Sequence, residues 1–179
     1  MRIITGSARG IKLCTLEGEE TRPTAERVKE AVFSMIQFEI EGRRVLDLFA
    51  GSGQMALEAL SRGAQKAVMI DINPEAQKII KANAQKAKLY DRSVVLGGDC
   101  KKFIKGFSGK EQFDIIFIDP PYKSDKKKDA LPFCANKLSD DGIVVFEDEC
   151  EWTGNVEGLV VYDKRKYGRV HLTFFKKEV

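Results

Sequence analysis

The chain has a single histidine and a single tryptophan among its 179 residues, and only four cysteines. Cys14, Cys100, Cys134 and Cys150 lie far apart and form no Cys-x-x-Cys pair. With one imidazole to complete a ligand set, no metal site is expected. The cysteines read as the reduced thiols of a cytoplasmic protein. No apolar run approaches the length of a membrane span. The N-terminus, Met1-Arg2-Ile3-Ile4-Thr5-Gly6, has no apolar stretch of the kind a secretory signal needs. Internal repeats, low-complexity linkers and heptad series are missing too, which leaves a monomer as the expectation. Charge of one sign is not in large excess: 30 Lys and Arg stand against 27 Asp and Glu, a net charge of +3. That permits a polyanionic partner without demanding one. Basic residues do gather in three places: Arg2, Arg9 and Lys12; Lys123, Lys126, Lys127 and Lys128; Lys164, Arg165, Lys166 and Arg169.

What is present is a regular alternation of strand and helix signals. A short hairpin is expected over residues 1–20. Thr24 then reads as the cap of a helix whose apolar face is Val28, Ala31, Val32, Met35 and Ile36, stopped by Gly42. From Arg43 onward, Val45-Leu46-Asp47-Leu48-Phe49, Ala67-Val68-Met69-Ile70, Val94-Val95-Leu96, Phe113-Asp114-Ile115-Ile116-Phe117-Ile118 and Ile143-Val144-Val145-Phe146 read as buried strands. Helices are expected between them over 54–62, 74–88 and 101–107, with a less regular one between 125 and 138 near Pro132. Asn73 and Pro74 form a cap and first-turn pair. Two further strands, around 159–162 and 170–175, bracket a basic turn and form a terminal hairpin. Such alternation implies a mostly parallel sheet covered on both faces.

Chemistry collects at the strand ends. Asp119-Pro120-Pro121-Tyr122 directly follows one strand. Its prolines remove backbone donors and stiffen the turn, leaving a carboxylate and carbonyl oxygens beside an aromatic ring. That is a pocket for an amino group on a flat base. Gly51-Ser52-Gly53-Gln54-Met55-Ala56 follows the first of these strands, with Asp71 at the end of the next, as in a dinucleotide fingerprint. Asp47, however, occupies a place where a pyrophosphate would need room and positive dipole. A carboxylate there suits a cationic ligand better. Asp99, after the third of these strands, either caps a helix or accepts from an adenine amino group. Three acids at adjacent strand ends suit an adenosine that carries an amino acid and a positive charge, as S-adenosyl-L-methionine does.

Taken in order, Asp47-x-x-x-Gly51-x-Gly53, Asp71, Asp99 and Asp119-Pro120-Pro121-Tyr122 resemble the class I S-adenosylmethionine-dependent methyltransferases that act on amino groups of bases. The resemblance is closer to the RsmD-type 16S ribosomal RNA guanine-N2 methyltransferases. It is carried by Thr21-Arg22-Pro23-Thr24, Arg27-Val28-Lys29-Glu30-Ala31-Val32-Phe33, Asp47-Leu48-Phe49-Ala50-Gly51-Ser52-Gly53, Leu57-Glu58-Ala59-Leu60-Ser61-Arg62-Gly63-Ala64 and Tyr167-Gly168. The chain departs from that pattern in Asp71-Ile72, where an acid-Lys pair is usual, in Glu147-Asp148, where a His follows the acid, and in Arg169.

The resemblance implies an α/β, Rossmann-like, doubly wound, mostly parallel seven-stranded sheet. Residues 1–41 would form an N-terminal extension and 42–179 the methyltransferase domain. Methyl transfer to the exocyclic N2 of a guanine in small-subunit ribosomal RNA, within an assembly particle, is the implied reaction. Asp119, Pro120, Pro121 and Tyr122 would then be catalytic. Asp47, Phe49, Gly51, Ser52, Gly53, Asp71, Ile72, Asp99 and Cys100 would surround S-adenosyl-L-methionine, and Phe33 would either cover it or pack in the core. Arg22, Thr24, Arg27, Lys123, Lys126, Lys127, Lys128, Arg165 and Tyr167 are expected at the RNA. Three rivals share parts of the pattern: an adenine-N6 or cytosine-N4 methyltransferase, an NAD-type oxidoreductase, and a non-catalytic RNA-binding scaffold. His171 is expected to be structural, and Trp152 has no assigned place.

Overall fold

A computed structural model describes residues 1–16, 23–107, 111–120 and 126–178, without the side chains of residues 23, 24, 104 and 126–129. The elements run α1 (Pro23–Met35), β1 (Arg44–Asp47), α2 (Gln54–Ser61), β2 (Lys66–Asp71), α3 (Pro74–Lys86), a 3-10 turn (Tyr90–Arg92), β3 (Ser93–Gly97), α4 (Cys100–Gly106), β4 (Phe113–Ile118), α5 (Lys126–Lys137), β5 (Leu138–Asp148), β6 (Leu159–Tyr167) and β7 (Val170–Lys177). The strands form one seven-stranded sheet in the order β3-β2-β1-β4-β5-β7-β6. β1 to β5 pair in parallel, and β7 lies antiparallel between β5 and β6.

Period-2 alternation distributes the strand residues between two cores. Val45, Met69, Ile115, Phe117, Ile143, Val145, Leu172 and Phe174 face α1, α2 and α3. Leu46, Val68, Ile70, Ile116, Ile118, Val144, Phe146 and Phe175 face α4 and α5. Both sides are covered, which is why these strands read as unbroken apolar runs rather than alternating ones. Trp152, unplaced from sequence, closes the second core edge-on against Phe146 and Phe175, with ring centroids 5.6 and 6.1 Å away.

Several boundaries differ from the sequence reading. The N-terminal hairpin is reduced to one bridge, Arg2 to Lys12. Its backbone is held by side chains of α2 instead. Glu58 accepts from Ile4 N–H (2.7 Å) and Thr5 N–H (3.0 Å), and Ser61 Oγ accepts from Ala8 N–H (2.9 Å). α1 starts at Pro23, which puts Thr24 inside the first turn, and it ends at Met35 rather than near Gly42. β5 begins at Leu138, immediately after α5, and takes Gly142 into its interior. A Cβ at Gly142 would lie 2.7 Å from the Leu138 side chain, so only glycine lets the strand continue there.

Ile3, Ala8 and Leu13 lie in the same core as α1, α2 and β1, so the N-terminal residues are packed into the sheet domain. A buried ion pair seals this joint. Lys29 on α1 is 1% exposed, donates to the Arg2 carbonyl at 2.6 Å, and sits 3.7 Å from Glu58, which is fully buried. Arg62 also donates to Glu58, at 2.8 Å. Removing one partner of such a pair leaves an uncompensated buried charge. Glu58→Gln is therefore expected to lower unfolding free energy by about 3–5 kcal/mol. Urea titration followed by circular dichroism measures this, and a loss below about 1 kcal/mol would contradict the role given to Glu58.

Candidate active site

The order of strands reverses between β1 and β4, and open α/β sheets bind ligands outside the carboxyl ends of strands at that point. Asp47 closes β1 and is level with Met69 and Phe117 on its neighbours. Asp71 closes β2, and Asp99 follows β3 by two residues. Asp119 and Glu147 each follow the last aligned pair of β4 and β5, Ile118 and Phe146. Every parallel strand thus delivers a carboxyl group to one edge of the sheet.

The glycine loop crosses this edge and is tied to the strands on either side. Leu48 N–H donates to the Phe117 carbonyl (3.1 Å) and Ala50 N–H to the Ile70 carbonyl (2.9 Å). Gly51 N–H donates to Asp71 Oδ2 at 2.8 Å, while Asp71 Oδ1 accepts from Asn73 N–H at 2.8 Å. Gly51 has φ +54 and Gly53 φ +78, conformations that side-chain-bearing residues resist. The two glycines differ in surroundings. A Cβ on Gly51 would point into open space, toward any ligand over the strand ends, whereas one on Gly53 would press on Ile80 at 3.2 Å. Gly53 lets α2 begin close against α3, and Gly51 leaves the rim bare.

Asp47 is 2% exposed. Its carboxyl is pushed up to about 7, first by burial and then by the charges of Asp119 and Asp71, against the N–H groups of Phe49 and Ala56. The Glu147 carboxyl is pushed up to about 8 by burial and by Asp119. An edge on which Asp47 and Glu147 are pushed toward the protonated form is short of positive charge. A sulfonium and an ammonium supply it, so the donor set fits S-adenosylmethionine. It does not fit a pyrophosphate, which would add anions to an acidic row.

Other expected residues lie where the sequence pattern did not reveal. Phe33 takes the core-packing place expected for it: it is fully buried, with its ring 5.8 Å from Phe117 and the Arg62 guanidinium 4.8 Å from the ring centroid. Tertiary packing claims it because α1 buries Val28, Val32, Phe33 and Ile36 in the same core as the strands. Ser52 is buried, its hydroxyl directed at Met1 Sδ (3.7 Å) and its carbonyl accepting from Asn83 (2.9 Å). Cys100 packs into the second core, and Phe49 packs against it from the loop. Asp99 caps α4 by accepting from Lys101 N–H at 2.7 Å. Ile72 is 60% exposed at the rim. Arg27 is exposed, Tyr167 packs against the first core, and Arg165 pairs with Asp163 at 2.7 Å. Arg22, Pro121, Tyr122 and Lys123 lie outside the described residues, as do the side chains of Thr24, Lys126, Lys127 and Lys128. No metal-binding group occurs among the described residues.

Sequence reasoning passed over Lys29, Gln54 and Glu147. They line, with Asp119, Val28, Met55 and Leu172, a cavity of about 50 Å³ between α1, the start of α2 and the ends of β4 and β5. The signal for Glu147 was its place: an acid closing the fifth parallel strand, as acids close the others.

The sheet order, the glycine loop and the acidic edge define a Rossmann-like class I S-adenosylmethionine-dependent methyltransferase. The family model described as conserved hypothetical protein 95 matches residues 1–176. The chain belongs to this family, the RsmD-type S-adenosylmethionine-dependent methyltransferases. It is 37% identical over 182 residues to YlbH of Bacillus subtilis, covering 99% of each chain. It is 34% identical over 152 residues to the ribosomal RNA small subunit methyltransferase D of Haemophilus influenzae, covering 83% of this chain and 79% of that one. The solved structure of yhhF from Escherichia coli superposes with a TM-score of 0.86 at 28% identity, covering 100% of this chain and 98% of that one.

Asp47 gives this site a pH signature. Its carboxyl has an ordinary value of 3.8 and a folded value of about 7. The folded chain therefore binds the proton more tightly, and the stability this contributes is present at acid pH and lost as pH rises through about 7. A shift of that size corresponds to about 4 kcal/mol. Asp47→Asn, which cannot ionise, should flatten the decline and be more stable than the parent near about pH 8 in the absence of cofactor. Thermal melts across the range measure it, and parallel pH profiles would contradict the protonated Asp47.

Proposed function

We propose that the protein is a cytoplasmic, monomeric enzyme that transfers a methyl group from S-adenosylmethionine to the exocyclic N2 of a guanine in small-subunit ribosomal RNA, within an assembling particle. The observation that carries this reading is the Asp119-Pro120 turn at the switch point, beside the glycine loop and its acids. The name of the Haemophilus influenzae relative supports ribosomal RNA as the substrate class.

The cofactor supplies an electrophilic methyl group on a sulfonium. Gly51 would let backbone approach its methionine part, with Gly53 setting the start of α2 behind the loop, and Asp47 would attract the ammonium. Asp71 keeps lone pairs beyond those given to Gly51 and Asn73, enough to accept from ribose hydroxyls. Asp99 accepts from the adenine amino group, and Ile72 packs at the rim. An aryl amine is a poor nucleophile because its lone pair is delocalised into the ring. Asp119 and the Pro120 carbonyl accept its two hydrogens, which localises the lone pair and favours the positive charge that develops on nitrogen. The rigid turn holds nitrogen in line with the methyl group, and Tyr122 stacks on the base once it has left its helix. The nitrogen's surplus proton passes to the Asp119 carboxylate.

Asp119→Ala should lower methyl transfer at least about 10²–10³-fold and leave calorimetric affinity for S-adenosylmethionine within a few-fold. Full activity would sink the assignment. The base is settled by transfer of labelled methyl to small-subunit RNA, naked and protein-bound, from cells lacking this gene, followed by nucleoside mass spectrometry. N2-methylguanosine is expected. Label in N6-methyladenosine, N4-methylcytidine or DNA would keep the chemistry and overturn the substrate.

Lys126, Lys127 and Lys128, at the start of α5, are assigned to RNA phosphates. Neutralising all of them should flatten the log–log salt dependence of RNA binding by about 2 to 3, at roughly 0.7–0.9 per phosphate. An unchanged slope would remove them from the interface.

A further inference from the structure

The cavity beside Asp119 holds acceptors that the reaction described above does not use. Gln54 Oε1 is buried without a hydrogen-bond partner. Glu147 lines the same cavity, and its carboxyl, among the described residues, makes no hydrogen bond or ion pair. Lys29 is the cation in its wall, but its ammonium is directed to the Arg2 carbonyl and to Glu58. The remaining wall, Val28, Val32, Met55, Phe117, Val145 and Leu172, is apolar. The space offers acceptors to a ligand edge that brings donors. Its size of about 50 Å³ admits the edge of a ring rather than a whole nucleotide.

The nucleobases differ at the position next to the reacting amine. Guanine has N1–H beside its amino group, giving an unbroken row of N–H donors. Adenine and cytosine have an unprotonated ring nitrogen there, an acceptor. Asp119 and Glu147 project from adjacent parallel strands, each one residue past the aligned pair Ile118–Phe146. Neighbouring strands are about 4.8 Å apart. A base whose amino group meets Asp119 can therefore place its N1 edge within reach of Glu147.

We infer that Glu147 is a specificity-determining residue that accepts the N1–H of the target guanine and so selects guanine over adenine and cytosine. This rests on the guanine-N2 reading and names the residue that enforces it. Gln54 Oε1 is a second acceptor on the same edge. Burial and the charge of Asp119 push the Glu147 carboxyl up to about 8, and an N–H donor brought to it favours the ionised, accepting form. A site built to bond a substrate N–H rejects an analogue that lacks it, because its buried acceptor is left unmet.

The test uses 2-aminopurine, which keeps the amino group but has no N1–H. Small-subunit RNA containing the mapped guanine is assembled by ligation with guanine or with 2-aminopurine at that position and presented in the form, naked or protein-bound, that accepts the labelled methyl group. kcat/KM is measured for each with the wild-type enzyme and with Glu147→Gln, whose amide can donate to an unprotonated N1. The wild type should prefer guanine by about 10-fold to 10²-fold, and Glu147→Gln, assayed at saturating S-adenosylmethionine, should shrink or reverse that ratio by at least about 10-fold. A wild-type ratio near one overturns the inference without any variant and leaves the guanine-N2 reading intact. A ratio that survives Glu147→Gln, with both rates lowered equally, overturns it as well by reducing Glu147 to a structural part. No transfer to the guanine RNA, naked or protein-bound, by the wild type overturns both readings together.

Discussion

Burial first, and then the charge of Asp119 beside them, set Asp47 and Glu147 against ionisation unless a cation joins them. That constraint organises the molecule. It explains why Asp47, the most buried of them, is held near neutrality in its titration and why Glu147 is held above it. It also makes the edge selective before any shape is considered: a cationic ligand relieves it, and an anionic one worsens it. The two prolines that follow Asp119 extend the same logic, because they supply carbonyl oxygens and no donors.

The rest of the fold holds that edge in place. Asp71 fixes the glycine loop through Gly51, and the Phe117 and Ile70 carbonyls fix its other strand contacts. Behind the loop, Glu58 joins the N-terminal residues to α2, and Lys29 joins α1 to the same point. α1 is thereby placed as one wall of the cavity over Asp119 and Glu147. At the opposite end of the sheet Arg43 bridges Asp114 and Asp141, tying β1 to β4 and β5 away from the site. Site and support are divided between the two ends of the strands, as the topology of an open α/β sheet requires.

The alternation of apolar runs and capped helices made the parallel sheet legible from the sequence, because strands buried on both faces carry little else. Asp47, Asp71, Asp99 and Asp119 were legible as strand ends for the same reason. Residues whose role depends on a distant element were not. Phe33 reads as either a cofactor cover or a core residue, and its core packing against Phe117 shows only in the fold. Lys29 and Glu58 look like solvated charges on helices and are buried only because the N-terminal residues close over them. Ile143 reads as the start of its strand, but β5 begins at Leu138, and the missing side chain of Gly142 lets it pass there. Gln54 gave no local signal, and its unmet oxygen appears only once α1 and β5 enclose it.

The central claim is that a cation completes the acidic edge, and proton release on cofactor binding tests it most directly. Calorimetric titration of S-adenosylmethionine near neutral pH, in buffers of different ionisation heat, gives the number of protons exchanged. The account predicts net release as Asp47 ionises against the incoming positive charge, and loss of that release in Asp47→Asn. Binding with no proton exchange, or with uptake, would contradict it.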